Sequence, residues 1–442
     1  MKQIHQILLI PGIFYLLGST GNSLQAKERQ GKPNIVLIMA DDMGYGDIGC
    51  YGSSYIKTPV LDKMAADGIR FTDYHSNGAV CTPTRAALLT GNYQQRAGLE
   101  GVINAQIDKR IYGIAAAEVT MGEIFQESGY QTGIFGKWHL GYQPEYNPTH
   151  HGFNEFYGYV SGNVDYISHR DGIGRYDWWH NTDTCYDKGY VTDLITNQAL
   201  IFIESNKNNP FLLYLPHEAP HFPYQGRNDK ADRSPGLAIE MSGTRSDKKQ
   251  AYKEMVEIMD ENIGRVLEKL KELNLDKNTF VFFCSDNGAT NQGNNGDLNG
   301  FKGSLWEGGH RVPAIAYYPG KINPGKIADS PIISMDVLPT LLNIAGISNK
   351  LKLDGEDFSK VLFSEKEMKE RPLFWRYQNQ LAVRKGKWKY LKIKEMEYLF
   401  DLEKDLAETT NLKDENPAKT KELASLLKDW RKEMEKYTQK TK

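Results

Sequence analysis

Four short, strand-like runs, largely apolar and each followed within two residues by a charged residue or histidine, constrain this chain more than any other feature. They lie at 34–40 (Asn-Ile-Val-Leu-Ile-Met-Ala), 131–135, 211–215 and 279–284. Unbroken runs of this length read as strands buried on both faces, which belong to parallel sheets. Helical signals fall between them. Thr58 and Pro59 open a short helix that Gly68 closes, and Thr120 with Glu123 makes a capping box for a helix ended by Gly129. The longest amphipathic pattern, 249–273, puts Met255, Met259, Ile263, Val266 and Leu270 on one stripe. A further strand is read at 313–318. Strand alternating with helix predicts an α/β fold: a large, mostly parallel sheet flanked by helices.

The texture changes after Gly346. Short strand-like pieces at 381–384, 388–393 and 398–401 predict a small antiparallel sheet, and 419–437 a charged amphipathic helix with a frayed, Lys-rich end. The expected organisation is a leader at 1–26, an α/β domain carrying the chemistry at 27–348, and a C-terminal subdomain at 349–442. In the leader, Lys2 and His5 precede an apolar run at 7–17 broken by Pro11 and Gly12, then small and polar residues up to Ala26. That is the layout of a secretory signal, too short to span a membrane, and it predicts a secreted or periplasmic protein. Lys and Arg number 54 and Asp and Glu 56, a formal charge of −2. So even a balance argues against nucleic-acid binding, though a local basic pocket stays open. The four cysteines, Cys50, Cys81, Cys185 and Cys284, allow two disulfides. If Cys81 has chemical work, at most one bridge remains among the other three, and its pairing is open.

In parallel sheets ligands gather at the carboxyl ends of strands. Here those ends are Asp41-Asp42, Lys137-Trp138-His139, His217 to His221, and Asp286-Asn287-Gly288. Either acidic pair alone is more simply a helix cap or a turn. Both together, each directly after a buried strand, predict an oxygen-lined site for Ca²⁺ or Mg²⁺ rather than zinc, beside a basic pocket.

The sharpest element is Cys81-Thr82-Pro83-Thr84-Arg85, continuing through Ala86-Ala87-Leu88-Leu89 to Thr90-Gly91. With it come Gly136 to Gly141, Pro220-His221-Phe222-Pro223, Asp286 to Gly288, Lys302 to Gly309, and Asp336 to Gly346. From residue 32 to about 410 the chain resembles the type I, formylglycine-dependent sulfatases of the alkaline-phosphatase-like superfamily, such as arylsulfatases and N-acetylgalactosamine-6-sulfatases. The resemblance implies that a separate maturation enzyme oxidises Cys81 to formylglycine, whose hydrate is the nucleophile. It implies Ca²⁺, more than Mg²⁺, held by Asp41, Asp42, Asp286 and Asn287, with the residue-81 hydrate completing the shell. Arg85, Lys137, His139, His221 and Lys302 match positions that hold the hydrate, the sulfate group and the leaving oxygen. In that scheme metal and cations let an alkoxide form near neutral pH and attack sulfur. His221, or second Lys302, protonates the leaving oxygen, and His139 deprotonates the second hydroxyl, so that sulfate is expelled.

The stretch 161–186 is long, aromatic and charged, and lies between strands that deliver site residues. Arg170, Asp171 and His180 are its candidates for reading a sulfated galactose or N-acetylhexosamine unit; the plainer reading is a packed loop anchored by tryptophan. Other readings are a phosphoester or phosphonate hydrolase of the same superfamily, and a catalytically inactive sulfated-glycan-binding protein. The single oxygen cluster favours a singly charged sulfate ester over the first, and the complete set of site residues speaks against the second.

Overall fold

The computed structural model describes residues 31–106, 110–236, 242–364 and 366–438. The leader expected at 1–26 and the Lys-rich end beyond 438 lie outside the described residues. A ten-stranded sheet runs through the body in the order Lys326–Ala328, Ile69–Phe71, Ala314–Tyr317, Thr279–Ser285, Asn34–Ala40, Phe211–Pro216, Gln131–Lys137, Glu155–Tyr159, Trp179–His180 and Asp183–Thr184. The five strands from Thr279–Ser285 to Glu155–Tyr159 are mutually parallel. Three of them, Asn34–Ala40, Phe211–Pro216 and Thr279–Ser285, are buried along their whole length, as continuous apolar runs require. Ala314–Tyr317 pairs antiparallel with Thr279–Ser285. So the sheet is mixed at that side.

Helices cover both faces, and two apolar cores result. Leu37, Phe282 and Tyr214 point into one, and Val36, Phe283 and Leu213 into the other, the period-two alternation of a strand. Helix Lys248–Glu272 buries Met255, Met259, Ile263, Val266 and Leu270 against the second core. At Met121–Glu127, Glu123 accepts the Thr120 N–H at 2.7 Å while the Thr120 hydroxyl donates to His151 O. Gly129 takes φ +82° just past that helix. Among the described residues no helix is long and apolar enough to cross a membrane, and the four cysteines are unpaired.

Pro372–Tyr377, Gln380–Lys385, Trp388–Ile393 and Met396–Asp401 form a four-stranded antiparallel meander, backed by helix Pro417–Thr438. Its first strand, with Pro372 at an outer edge where no ladder N–H is needed, was not read from the sequence. This sheet shares a core with Ala79, Ala87, Leu305 and Met335 of the body. The join also contains a buried charge network. Lys389 Nζ lies 2.8 Å from both Glu307 Oε1 and Glu408 Oε1, and Arg384 grips Asp73. Burial opposes charge on Glu307, but Lys389 and its cationic neighbours hold it well below the usual carboxylate range; Glu408 is pushed up to about 7, mainly by burial.

Removing one partner from such a network strands the others without compensation. Lys389→Met is expected to lower folding stability by about 3 kcal/mol, read as a lower urea midpoint at unchanged slope. An unchanged midpoint would show that the network contributes nothing net.

Candidate active site

The parallel strands all end on one rim, and their last residues turn inward together. Asp41 and Asp42 follow Asn34–Ala40, Asp286 and Asn287 follow Thr279–Ser285, Lys137 ends Gln131–Lys137, and His217 to His221 follow Phe211–Pro216. Backbone bonds tie the ends to one another: Asp41 N–H to Ala219 O, Asp286 N–H to Ala40 O, and His217 N–H to Met39 O. Asp42 adopts φ +67° and His139 φ +59°, left-handed turns that aim both side chains back into the site.

Cys81 opens a fully buried helix, Cys81–Thr90. Pro83 is tolerated in that first turn because no intrahelical N–H partner is needed there. Arg85, four residues on, falls on the same face as Cys81. Its guanidinium donates twice to Asp286 Oδ2, at 2.8 and 3.2 Å, and stands 3.7 Å from Asp41 Oδ1. Lys137 Nζ is 2.5 Å from Asp41 Oδ2. Lys302 Nζ is 2.6 Å from Asp42 Oδ1 and 3.4 Å from Cys81 Sγ. Cys81 Sγ is 3.3 Å from Asp41 Oδ1.

The oxygen set fits a hard cation. Asp42 Oδ2 and Asn287 Oδ1 are buried acceptors with no hydrogen-bond donor, and Asp41, Asp42, Cys81 and His221 each place a ligand atom within 4.8 Å of the others. Buried oxygens left without donors favour a cation between them. His221 thus stands beside the expected ligands. Asp286 is engaged by Arg85 and by the Asp42 N–H, and Asn287 Nδ2 donates to Asp42 Oδ1 at 2.8 Å.

Charge is balanced locally. Burial opposes ionisation of Asp42, but the Lys302 ammonium beside it outweighs burial and holds it below its ordinary value. Burial likewise opposes charge on Lys302, and Asp42 outweighs it. The Cys81 thiol is pushed far up by burial and by Asp41, so the encoded side chain is a weak nucleophile at neutral pH. Burial, with Lys137 next, keeps His139 neutral; its Nε2 faces Ile103 O at 2.8 Å and its Nδ1 has no partner. Burial also keeps His221 neutral, with Nδ1 2.7 Å from Phe222 O and Nε2 3.6 Å from Asp42 Oδ2.

The three candidates for reading a sugar sit apart from this cluster in their bonding. The Asp171 carboxylate accepts from the N–H groups of Ile173 and Arg175 and pairs with Arg110. Arg170 donates to Gly174 O and lies over the Tyr176 ring. His180 is exposed, 3.6 Å from Glu155. The insert reaches the site elsewhere. A Cβ on Gly162 would stand 2.7 Å from His139 Nε2, and the Tyr166 hydroxyl donates to His221 O at 3.1 Å. Glu218 was not picked out from sequence, because a lone carboxylate in a His-Glu-Ala-Pro run has no spacing signal. It is buried, its carboxyl is pushed well above the usual carboxylate range by that burial, and it accepts the Val164 N–H at 2.7 Å, pinning the insert to the His221 segment.

Comparison with known proteins agrees with the geometry. The sulfatase family model matches residues 33–347, and the model for the C-terminal part of N-sulphoglucosamine sulphohydrolase matches residues 301–440. The chain is similar to N-acetylgalactosamine-6-sulfatase of Canis lupus familiaris, 35% identical over 81% of this chain and 71% of the relative. It is also similar to the crystal structure of Ps i-CgsB in complex with k-i-k-neocarrahexaose, at 31% identity, 90% and 92% coverage and TM-score 0.80. The phosphonate monoester hydrolase of Agrobacterium radiobacter, 18% identical over 91% of this chain and 96% of that one with TM-score 0.67, shares the fold alone. With Cys81 and Arg85 facing the carboxylates and cations that a sulfate ester requires, the chain belongs to the sulfatase family and is a sulfuric ester hydrolase.

Proposed function

We propose that this sulfatase removes sulfate from an O-sulfated sugar of a glycan, galactose or N-acetylhexosamine, outside the cytoplasm. The observation that carries the reading is the cluster itself: Cys81 set among Asp41, Lys302 and Arg85, beside the donor-free oxygens of Asp42 and Asn287. Asp41, Asp42, Asp286 and Asn287 would hold Ca²⁺, which when bound offsets the charge of the sulfate group and lowers the pKa of a coordinated hydroxyl. Formylglycine, made from Cys81 by a maturation enzyme, supplies the nucleophilic hydroxyl in place of the thiol. Arg85, Lys137 and Lys302 fix the sulfuryl oxygens and offset charge gathering on them. His221, or second Lys302, would protonate the leaving oxygen, and the bare Nδ1 of His139 would take up the proton of the second hydroxyl. Similarity to relatives that act on sulfated sugars supports the substrate class. The insert at 161–186 meets both histidines through Gly162 and Tyr166, and Arg170 and His180 are the residues of it that we assign to the sugar.

Sulfate release from a panel of O-sulfated monosaccharides tests the reading. Activity on at least one sugar, lost on chelation and restored better by Ca²⁺ than by Mg²⁺, is expected; release from none by protein expressed with a maturation system would contradict it.

Leaving-group dependence separates the roles. A sugar alkoxide needs a proton to leave, whereas an activated aryl oxide does not. His221→Ala should therefore cost about a hundredfold or more on the sugar sulfate and far less on an aryl sulfate. Equal losses on both would remove His221 as the acid. Arg170→Ala and His180→Ala should likewise weaken turnover of the sugar and spare the aryl ester; parallel losses would take the sugar out of their hands.

A further inference from the structure

Lys302 must hold its ammonium between Asp42 and residue 81, yet it sits on an irregular loop between Asn287 and helix Glu307–His310. What fixes that loop comes partly from the body. The Lys302 N–H bonds to Ala289 O at 2.9 Å, and the next N–H, of Gly303, bonds to Ala79 O at 2.8 Å, two residues ahead of Cys81. Gly303 takes φ +85°, a conformation that a side chain would strain. These bonds use only the N–H side of the Lys302–Gly303 backbone. Two further backbone groups of the loop are taken by one side chain from the C-terminal sheet. Gln380 Nε2 donates to Gly303 O at 2.9 Å, and Gln380 Oε1 accepts the Leu305 N–H at 2.9 Å. Gln380 begins the second strand of the meander, opposite Tyr377 in register, and the same hairpin is anchored to the body by Arg376 on Glu100. The Tyr377 ring lies 3.9 Å from where a Gly303 Cβ would stand.

We propose that Gln380 is a positioning residue for the hydrolysis: its carboxamide clamps the Gly303–Leu305 backbone that directly follows Lys302 and so sets where the Lys302 ammonium stands relative to residue 81. A carboxamide suits the task because, whatever the pH, it offers a donor and an acceptor side by side to two backbone groups of the same loop. The C-terminal sheet thereby takes part in the reaction without touching substrate. The proposal rests on the sulfatase reading and on the role given there to Lys302.

Steady-state kinetics on an activated aryl sulfate test it, with formylglycine content and melting temperature measured for each variant. Gln380→Ala should lower kcat about tenfold or more with little change in KM, since a displaced ammonium costs transition-state rather than ground-state binding. In the Lys302→Ala background the same change should cost nothing further. Q380E provides a second route if the alanine variant folds poorly. Ionised, its carboxylate keeps the acceptor for Leu305 and loses the donor to Gly303; protonated, it regains a donor. Its kcat relative to wild type should therefore rise as pH falls. Full activity in the alanine variant, losses that add to those of Lys302→Ala, or a Q380E-to-wild-type ratio flat with pH would overturn the clamp. A wild-type protein that releases no sulfate would instead overturn the function on which it rests.

Discussion

Three carboxylates and three cations share one buried pocket, and neither set could be there without the other. Asp41, Asp42 and Asp286 face Lys137, Lys302 and Arg85, every carboxylate within hydrogen-bonding distance of a cation. Stranding any one of these charges in the interior would cost several kcal/mol. Mutual neutralisation is thus the condition on which the site rests. It also leaves a surplus of oxygen: Asp42 Oδ2 and Asn287 Oδ1 have no donor, and a doubly charged cation is the species that completes them. A sulfate ester entering such a site meets donors already oriented, so little reorganisation is needed during the reaction.

Pairing at this density requires the strand ends to be held to within a fraction of an ångström, and backbone contacts do this. Gly288 is in close approach: a Cβ there would stand 1.8 Å from Gly308 O. The turn that carries Asp286 and Asn287 is thus pressed directly against the segment that follows Lys302. The Asp-Asn-Gly and Lys-Gly motifs are one packed unit. The C-terminal sheet closes the unit from the other side, through the shared apolar core around Trp375 and through Lys389 on Glu307.

How much of this could be read in the sequence follows from which interactions are local. Asn34–Ala40 and Thr279–Ser285 were legible because strands buried on both faces must be apolar throughout. The rim residues were legible because they directly follow those strands. Pro372–Tyr377 was not legible: it opens with proline, and Arg376 within it is spent on distant Glu100. The Lys389–Glu307–Glu408 network and the Gln380 bonds join residues many positions apart with no spacing rule to announce them. The insert at 161–186 shows the same limit. Its charge pattern marked Asp171, but the structure places that carboxylate on its own turn and on Arg110, while contact with the histidines runs through Gly162 and Tyr166.

The account stands on residue 81 being chemically changed. In the encoded chain its thiol is buried and driven to its neutral form, chiefly by that burial. The direct measurement is the mass of the peptide carrying residue 81, taken from protein made in a host with a sulfatase-maturation system. A peptide about 18 Da lighter than the cysteine form, in a fraction that tracks activity across preparations, is what the account predicts. Full sulfatase activity from protein whose Cys81 is wholly unmodified would contradict it.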